Sequence, residues 1–236
     1  MVDAGGGNGS LGILERMEVP LSSIHHLFVT HEHTDHILGV VWMIRMIGQK
    51  ILAGKYEGTL SIYCHPDLTN TITTLCSLTT QKKIQKLIGG PIQLIPVEDG
   101  QTLSILGCRV TFFDIHSTKA KQFGFTMDLK NGKKLTCTGD EPYNPLCEKY
   151  VSGSQWLLCE AFCLYEDRDL FSPDEKHHST VKEACQLAER LQIPNLILWH
   201  TEDSNLAERK KRYTEEGRTF YSGNLLVPDD GDILAL

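Results

Sequence analysis

Residues 30–36 read Thr-His-Glu-His-Thr-Asp-His, directly after the apolar run Leu27-Phe28-Val29. Three imidazoles and a carboxylate, on His31, His33, Asp35 and His36, fall within six positions. Residues 24–30 read as a buried strand. The stretch from 35 to about 46 reads as a helix apolar on most sides, and therefore buried. The cluster then occupies a strand-to-helix loop. Imidazole nitrogen and carboxylate oxygen are the donors that borderline divalent cations such as zinc prefer. Alternate side chains at a strand end face the same way, so His31 and His33 can hold one ion. Asp35 and His36 open a helix, turn toward a neighbouring position and can hold a second. Ten histidines among 236 residues make an incidental pair unremarkable. They do not account for four donors grouped behind a buried strand.

The rest of the chain reads as layered α/β architecture. Further strands are expected at 60–64, 92–95, 103–106, 110–115 and 156–159. Segments 122–129 and 133–138 flank Asn131-Gly132, whose tolerance of positive φ suits a tight hairpin turn. Asp67 is placed to cap a following helix. Thr180-Val181-Lys182-Glu183 is a capping-box pattern. It opens a helix with Val181, Ala184, Cys185, Ala188 and Leu191 on one face. Pro194 punctuates its end, and a strand at 195–199 delivers His200. A polar helix over about 205–216 stops at Gly217. Its basic run Arg209-Lys210-Lys211-Arg212 reads as a solvated face. Gly5 to Gly9 read as a turn whose small residues leave room.

Composition narrows the class. Eight cysteines without a CxxC pair suggest reduced thiols and a cytoplasmic protein. The net charge of −7 argues against a nucleic-acid binder. No apolar run reaches membrane-spanning length.

The heptapeptide resembles the HxHxDH signature of the metallo-β-lactamase superfamily, and the likeness continues down most of the chain. His116 in Ile115-His116-Ser117-Thr118 matches that superfamily's third-histidine position. Asp140 in Thr138-Gly139-Asp140 matches its metal-bridging carboxylate, and His200 in Leu198-Trp199-His200-Thr201 its last histidine. The resemblance implies a four-layer αββα sandwich, formed here by a single domain over residues 1–236. It implies two divalent ions, zinc first, with manganese or iron also accepted by such donors. By resemblance, His31, His33, His116 and Asp140 hold one ion, and Asp35, His36, His200 and again Asp140 the other.

A second cluster narrows the branch. Lys176-His177-His178-Ser179-Thr180 and the upstream Cys159-Glu160-Ala161-Phe162 look like the paired HST and EAT elements of ribonuclease Z and related phosphodiesterases. Carried over by position, His178 is the general acid and Glu160 the carboxylate that orients it. Phe162 stands where the family has threonine. The implied chemistry is phosphodiester hydrolysis by a hydroxide shared between two metals, with Asp35 binding metal and helping to orient that hydroxide. The chain shows no Gly/Pro-rich basic insertion to match the arm with which ribonuclease Z grips transfer RNA. A small or cyclic phosphodiester is therefore the expected substrate, with RNA less favoured. Transfer-RNA 3′ processing, and a thioesterase or lactonase activity on the same fold, are the alternatives, and a non-enzymatic metal-binding scaffold is a third.

Asp3-Ala4-Gly5 matches a segment that superfamily members reach only after two or three strands. The chain therefore looks truncated at its N-terminus. If nothing replaces those strands, one sheet has an open edge, and self-association into a homo-oligomer or poor stability is expected.

Overall fold

Two apolar clusters organise the molecule. The structure, a computed structural model, describes residues 1–236 in two compact units: Met1–Glu98 with Ala120–Gln122, and Asp99–Lys119 with Phe123–Leu236.

The first unit holds helices α1 (Gly9–Arg16), α2 (Thr34–Leu52), α3 (Pro66–Thr79) and α4 (Lys82–Gln85). Strands β1 (His26–Phe28), β2 (Leu60–Cys64) and β3 (Ile92–Pro96) form a parallel sheet in that order. Parallel neighbours need crossovers, which α2 supplies between β1 and β2, and α3 with α4 between β2 and β3. Met43, Ile44 and Ile47 of α2 are fully buried in the core of this unit.

Four local expectations change here. The paired part of the first strand is only His26–Phe28, because Leu21–Ser23 form a 3₁₀ turn that Ile24 closes. Helix α2 runs on to Leu52 rather than ending near 46. Gly48 does not break it: a Cβ there would lie 3.0 Å from Ile84 Cδ1, so the glycine admits α4 against α2. Asp67 is not a cap; His65 holds the N-cap position and Pro66 the first turn, where its missing N–H costs nothing. Gly9 belongs to α1 rather than to a turn.

The second unit carries strands β4 (Thr102–Ile105), β5 (Cys108–Asp114), β6 (Phe123–Asp128), β7 (Lys134–Cys137), β8 (Trp156–Glu160), β9 (Asn195–Trp199) and β10 (Asn224–Leu226). They form one sheet in the order β10-β9-β8-β7-β6-β5-β4. Strands β4 to β7 pair antiparallel, and β7 to β10 pair parallel. Helices α5 (Glu148–Val151), α6 (Arg168–Phe171), α7 (Val181–Arg190) and α8 (Leu206–Gly217) complete the unit. By this pairing β5, β7, β8 and β9 all point the same way. Their C-terminal ends share one sheet edge, where open α/β sheets place their chemistry.

The capping box forms as its sequence indicates. The Thr180 side chain accepts from the Glu183 N–H, and the Glu183 carboxylate accepts from the Thr180 N–H at 2.8 Å. The β6–β7 hairpin turns differently from the two-residue form. Gly132 (φ +80°) has positive φ but Asn131 does not, and Gly132 N–H donates to the Leu129 carbonyl at 2.9 Å. This is a longer loop closed by a left-handed glycine. Gly217 is no left-handed stop either. Its missing side chain admits Leu225 and Cys185, whose atoms would lie 2.5 and 2.9 Å from a Cβ. The basic run on α8 is engaged rather than merely solvated: Arg209 pairs with Asp229, Lys210 with Asp232, and Arg212 with Glu166 and Asp167. All eight cysteines are free thiols. No helix is long and apolar enough to cross a membrane.

Candidate metal centre and its proton donor

In the first unit the chain leaves β1 and enters α2 through the histidine loop, with His33 at the N-cap position. The imidazoles of His31, His33 and His36 gather tightly. His31 lies 4.4 Å from His33 and 4.1 Å from His36 between ring centroids. His31 and His36 are buried, whereas Asp35 is exposed. The outer nitrogens are held from behind. His31 Nδ1 contacts Thr30 Oγ1 at 2.9 Å, and His36 Nδ1 contacts Asp3 Oδ2 at 2.8 Å. Asp3 also accepts the Thr30 N–H and hydroxyl, each at 2.8 Å. Partners of this kind on Nδ1 fix the ring and turn Nε2 toward a cation.

Asp3 was not among the sequence candidates. It takes a positive φ of 48° and reaches its place because α2 backs directly onto residues 3–5. The Gly39 N–H donates to the Gly5 carbonyl at 2.7 Å, and a Cβ on Gly39 would fall 1.8 Å from the Ala4 oxygen. The available signal was Asp3-Ala4-Gly5 itself, a carboxylate beside small residues.

In the second unit, the candidates follow the C-terminal ends of β5, β7, β8 and β9. His116 comes two residues after β5 and is exposed, and its N–H donates to Asp114 Oδ1 at 2.7 Å. Asp140 comes after β7 and is buried. His200 follows β9 directly, its Nε2 3.6 Å from Asp140 Oδ2. His116 (φ +59°) and His200 (φ +53°) both occupy the left-handed region. That conformation costs a side-chain-bearing residue roughly 1–3 kcal/mol and clusters at functional sites. Glu141 is a second residue the sequence reading missed. Its buried carboxylate accepts from the Ser117 hydroxyl at 2.5 Å and the Thr118 N–H at 3.3 Å. It thereby ties the His116 loop to the residue after Asp140.

Glu160 ends β8 and is fully buried. His178 Nδ1 lies 3.6 Å from Glu160 Oε2, and the Ser179 N–H donates to the other carboxylate oxygen. The His178 ring stacks between Phe162, at 4.8 Å, and His200, at 5.3 Å. Phe162, the departure from the family's threonine, thus forms a wall against the imidazole. Burial pushes the Glu160 carboxyl above the usual range, while His178 and Ser179 draw it back down. His177 points elsewhere: it is left-handed (φ +54°), and its Nδ1 meets Thr118 Oγ1 at 2.9 Å.

The donor chemistry fits divalent cations. His31 Nε2 and His33 Nδ1 face one another at 2.8 Å. Two imidazole nitrogens so close are satisfied by one shared proton or one shared cation. In the first unit backing oxygens hold His31 and His36, and in the second a buried carboxylate lies beside His200; each is an N/O grouping typical of such ions.

Residues 2–201 match the model of the beta-lactamase superfamily domain, and the chain belongs to that family. It is a metal-dependent hydrolase of the metallo-β-lactamase fold. Among its relatives, ribonuclease Z of Halorubrum lacusprofundi is 24% identical over 261 residues, covering 89% of this chain and 80% of the relative. The metallo-β-lactamase fold protein YhfI from Bacillus subtilis superposes with a TM-score of 0.76 at 19% identity, covering 98% of this chain and 85% of that one. A diphosphatase from the PhnP family superposes with a TM-score of 0.72 at 14% identity, covering all of this chain and 79% of its own.

Proposed function

We propose that residues 1–236 act as one catalytic domain that hydrolyses a small or cyclic phosphodiester. His31, His33, His116 and Asp140 hold one divalent cation. Asp35, His36, His200 and Asp140 hold the second, and both ions are zinc. Such ions supply charge neutralisation at the phosphoryl oxygens and lower the pKa of water into the neutral range. The chain's own residues do the rest. Asp3 and Thr30 fix the rings of His36 and His31, and Glu141 fixes the His116 loop. His178 donates its proton to the departing alkoxide, a contribution of about 10²–10⁴-fold. Glu160 holds the His178 ring in place, its carboxylate 3.6 Å from the imidazole Nδ1.

The observation that carries this reading is the His178–Glu160 pair, buried beside His200. A metal-only scaffold has no need of it. The test is turnover of a glycerophosphodiester, whose leaving alkoxide needs a proton, by zinc-reconstituted protein. His178→Ala and Glu160→Gln are expected to lower kcat by about 10²–10⁴-fold while metal content stays at two per chain. An unchanged kcat in His178→Ala would point instead to a thioesterase or lactonase.

The relative from Halorubrum supports a second reading, 3′ processing of transfer RNA. Cleavage of precursor transfer RNA at low salt, lost steeply as salt is added, would favour it. The net charge of −7 weighs toward the small diester.

A further inference from the structure

Within the second unit a cavity of ≈480 Å³ opens beside His178, between the loop after Asp140 and helix α7. Tyr143, Asp174, His178, Ala184, Leu187 and Arg190 are among its lining residues. Its volume lies within the ordinary range for small-molecule sites.

The chemistry of the walls is specific. The Tyr143 hydroxyl is buried and has no hydrogen-bond partner. Burial pushes this phenol up to about 12, so it stays a proton-bearing donor at neutral pH. The exposed Arg190 extends its guanidinium to 5.8 Å from the centroid of the Tyr143 ring. Ala184 and Leu187 give the cavity an apolar side, and Asp174 adds an exposed carboxylate.

We infer that this cavity is the leaving-group subsite and that it takes a nucleobase. The inference rests on the reading of His178 as the proton donor, since the departing oxygen then lies at the cavity mouth. A second phosphate is disfavoured, because the Asp174 carboxylate opposes what Arg190 would offer an anion. A plain alkyl chain would leave the Tyr143 hydroxyl and the guanidinium unanswered. A neutral heteroaromatic ring answers all three groups. Its face packs on the apolar side formed by Ala184 and Leu187, its carbonyl accepts from the Tyr143 hydroxyl, a ring nitrogen accepts from Arg190, and its N–H donates to Asp174. Guanine presents both edges at once and is the preferred base. In the step itself water adds to phosphorus, the bond from phosphorus to the nucleoside oxygen breaks, and that oxygen takes the His178 proton. The products are a phosphate monoester and a nucleoside.

The probe is guanosine 5′-(methyl phosphate), given to the metal-loaded enzyme. Guanosine and methyl phosphate are the expected products. Tyr143→Ala and Arg190→Gln should raise KM about ten- to hundredfold, with a smaller change in kcat. Tyr143→Phe, which keeps the ring and its packing, should fall between them and the native enzyme. Release of methanol and guanosine monophosphate would overturn the assignment, as would an unchanged KM in both Tyr143→Ala and Arg190→Gln. Hydrolysis of the glycerophosphodiester without any turnover of the guanosine ester would also overturn it, while leaving the phosphodiesterase reading intact. If neither diester is turned over, the phosphodiesterase reading fails instead. The cavity is then judged by calorimetric titration with guanosine: binding lost in Tyr143→Ala supports the subsite, and no binding to the native protein overturns it.

Discussion

Asp3 Oδ2 lies 2.8 Å from His36 Nδ1, and both side chains are buried. Thirty-three positions separate them in sequence, yet this contact orients a proposed metal ligand. Asp3→Ala should therefore weaken metal binding about 10–100-fold, the usual cost of losing a carboxylate behind a ligating imidazole. Competition with a chelating dye, read alongside far-UV circular dichroism to confirm folding, measures it. An affinity equal to the native protein's would refute the role.

Gly39 is the point of contact that makes the Asp3 position reachable. A methyl group there would meet the Ala4 carbonyl at 1.8 Å. Gly39→Ala should destabilise the chain by at least about 1–3 kcal/mol, the usual cost of overpacking, and should lower metal affinity with it. Urea unfolding of the metal-free protein isolates the first effect. A midpoint unchanged from native would show that the segment simply moves aside.

Thr180→Ala removes one half of the reciprocal cap on α7, whose first turn follows His178 and Ser179. A loss of about 1 kcal/mol is expected. Because the cap fixes the segment bearing the proposed proton donor, kcat should fall as well. Thr180→Ser keeps the hydroxyl and should restore both. Failure of serine to rescue would mean that the threonine methyl, not the cap, matters.

Glu216 gives a pH signature. Burial raises its carboxyl above the ordinary 4.5, partly offset by hydrogen bonds such as that from the Tyr165 N–H. In the window from 4.5 up to the elevated native value, the folded chain keeps a proton that the unfolded chain has released. Its contribution to stability is therefore full below that window and declines as pH rises through it. Glu216→Gln should flatten the dependence of unfolding free energy on pH over that interval. An identical slope in the variant would assign the dependence to another group.

Much of the site could be read from the chain because it is local. Residues 30–36 announce themselves by spacing, and the segment 178–183 by its cap. His116, Asp140 and His200 carried no signal of their own beyond position after a strand; resemblance singled them out. What stayed hidden depends on distant contacts. Nothing near residue 3 says that its carboxylate will meet His36, and nothing near Glu141 says that it will hold the loop at 117–118. The glycines misled for the same reason. Gly217 reads as a helix stop, but like Gly48 it is a gap into which another element packs. At Asn131-Gly132 the pair alone suggested two left-handed residues, whereas only Gly132 takes that form.

The left-handed backbone at residues 116 and 200 narrows what those positions can become. Asparagine and glycine settle into such geometry with less resistance than an imidazole. A lineage released from its chemical task would gain by drifting to either. Histidine at both positions thus carries a conformational cost, one that Glu18, Leu106 and Gln192 also bear, and a survey of close cousins could follow whether any branch has relaxed it at those two sites.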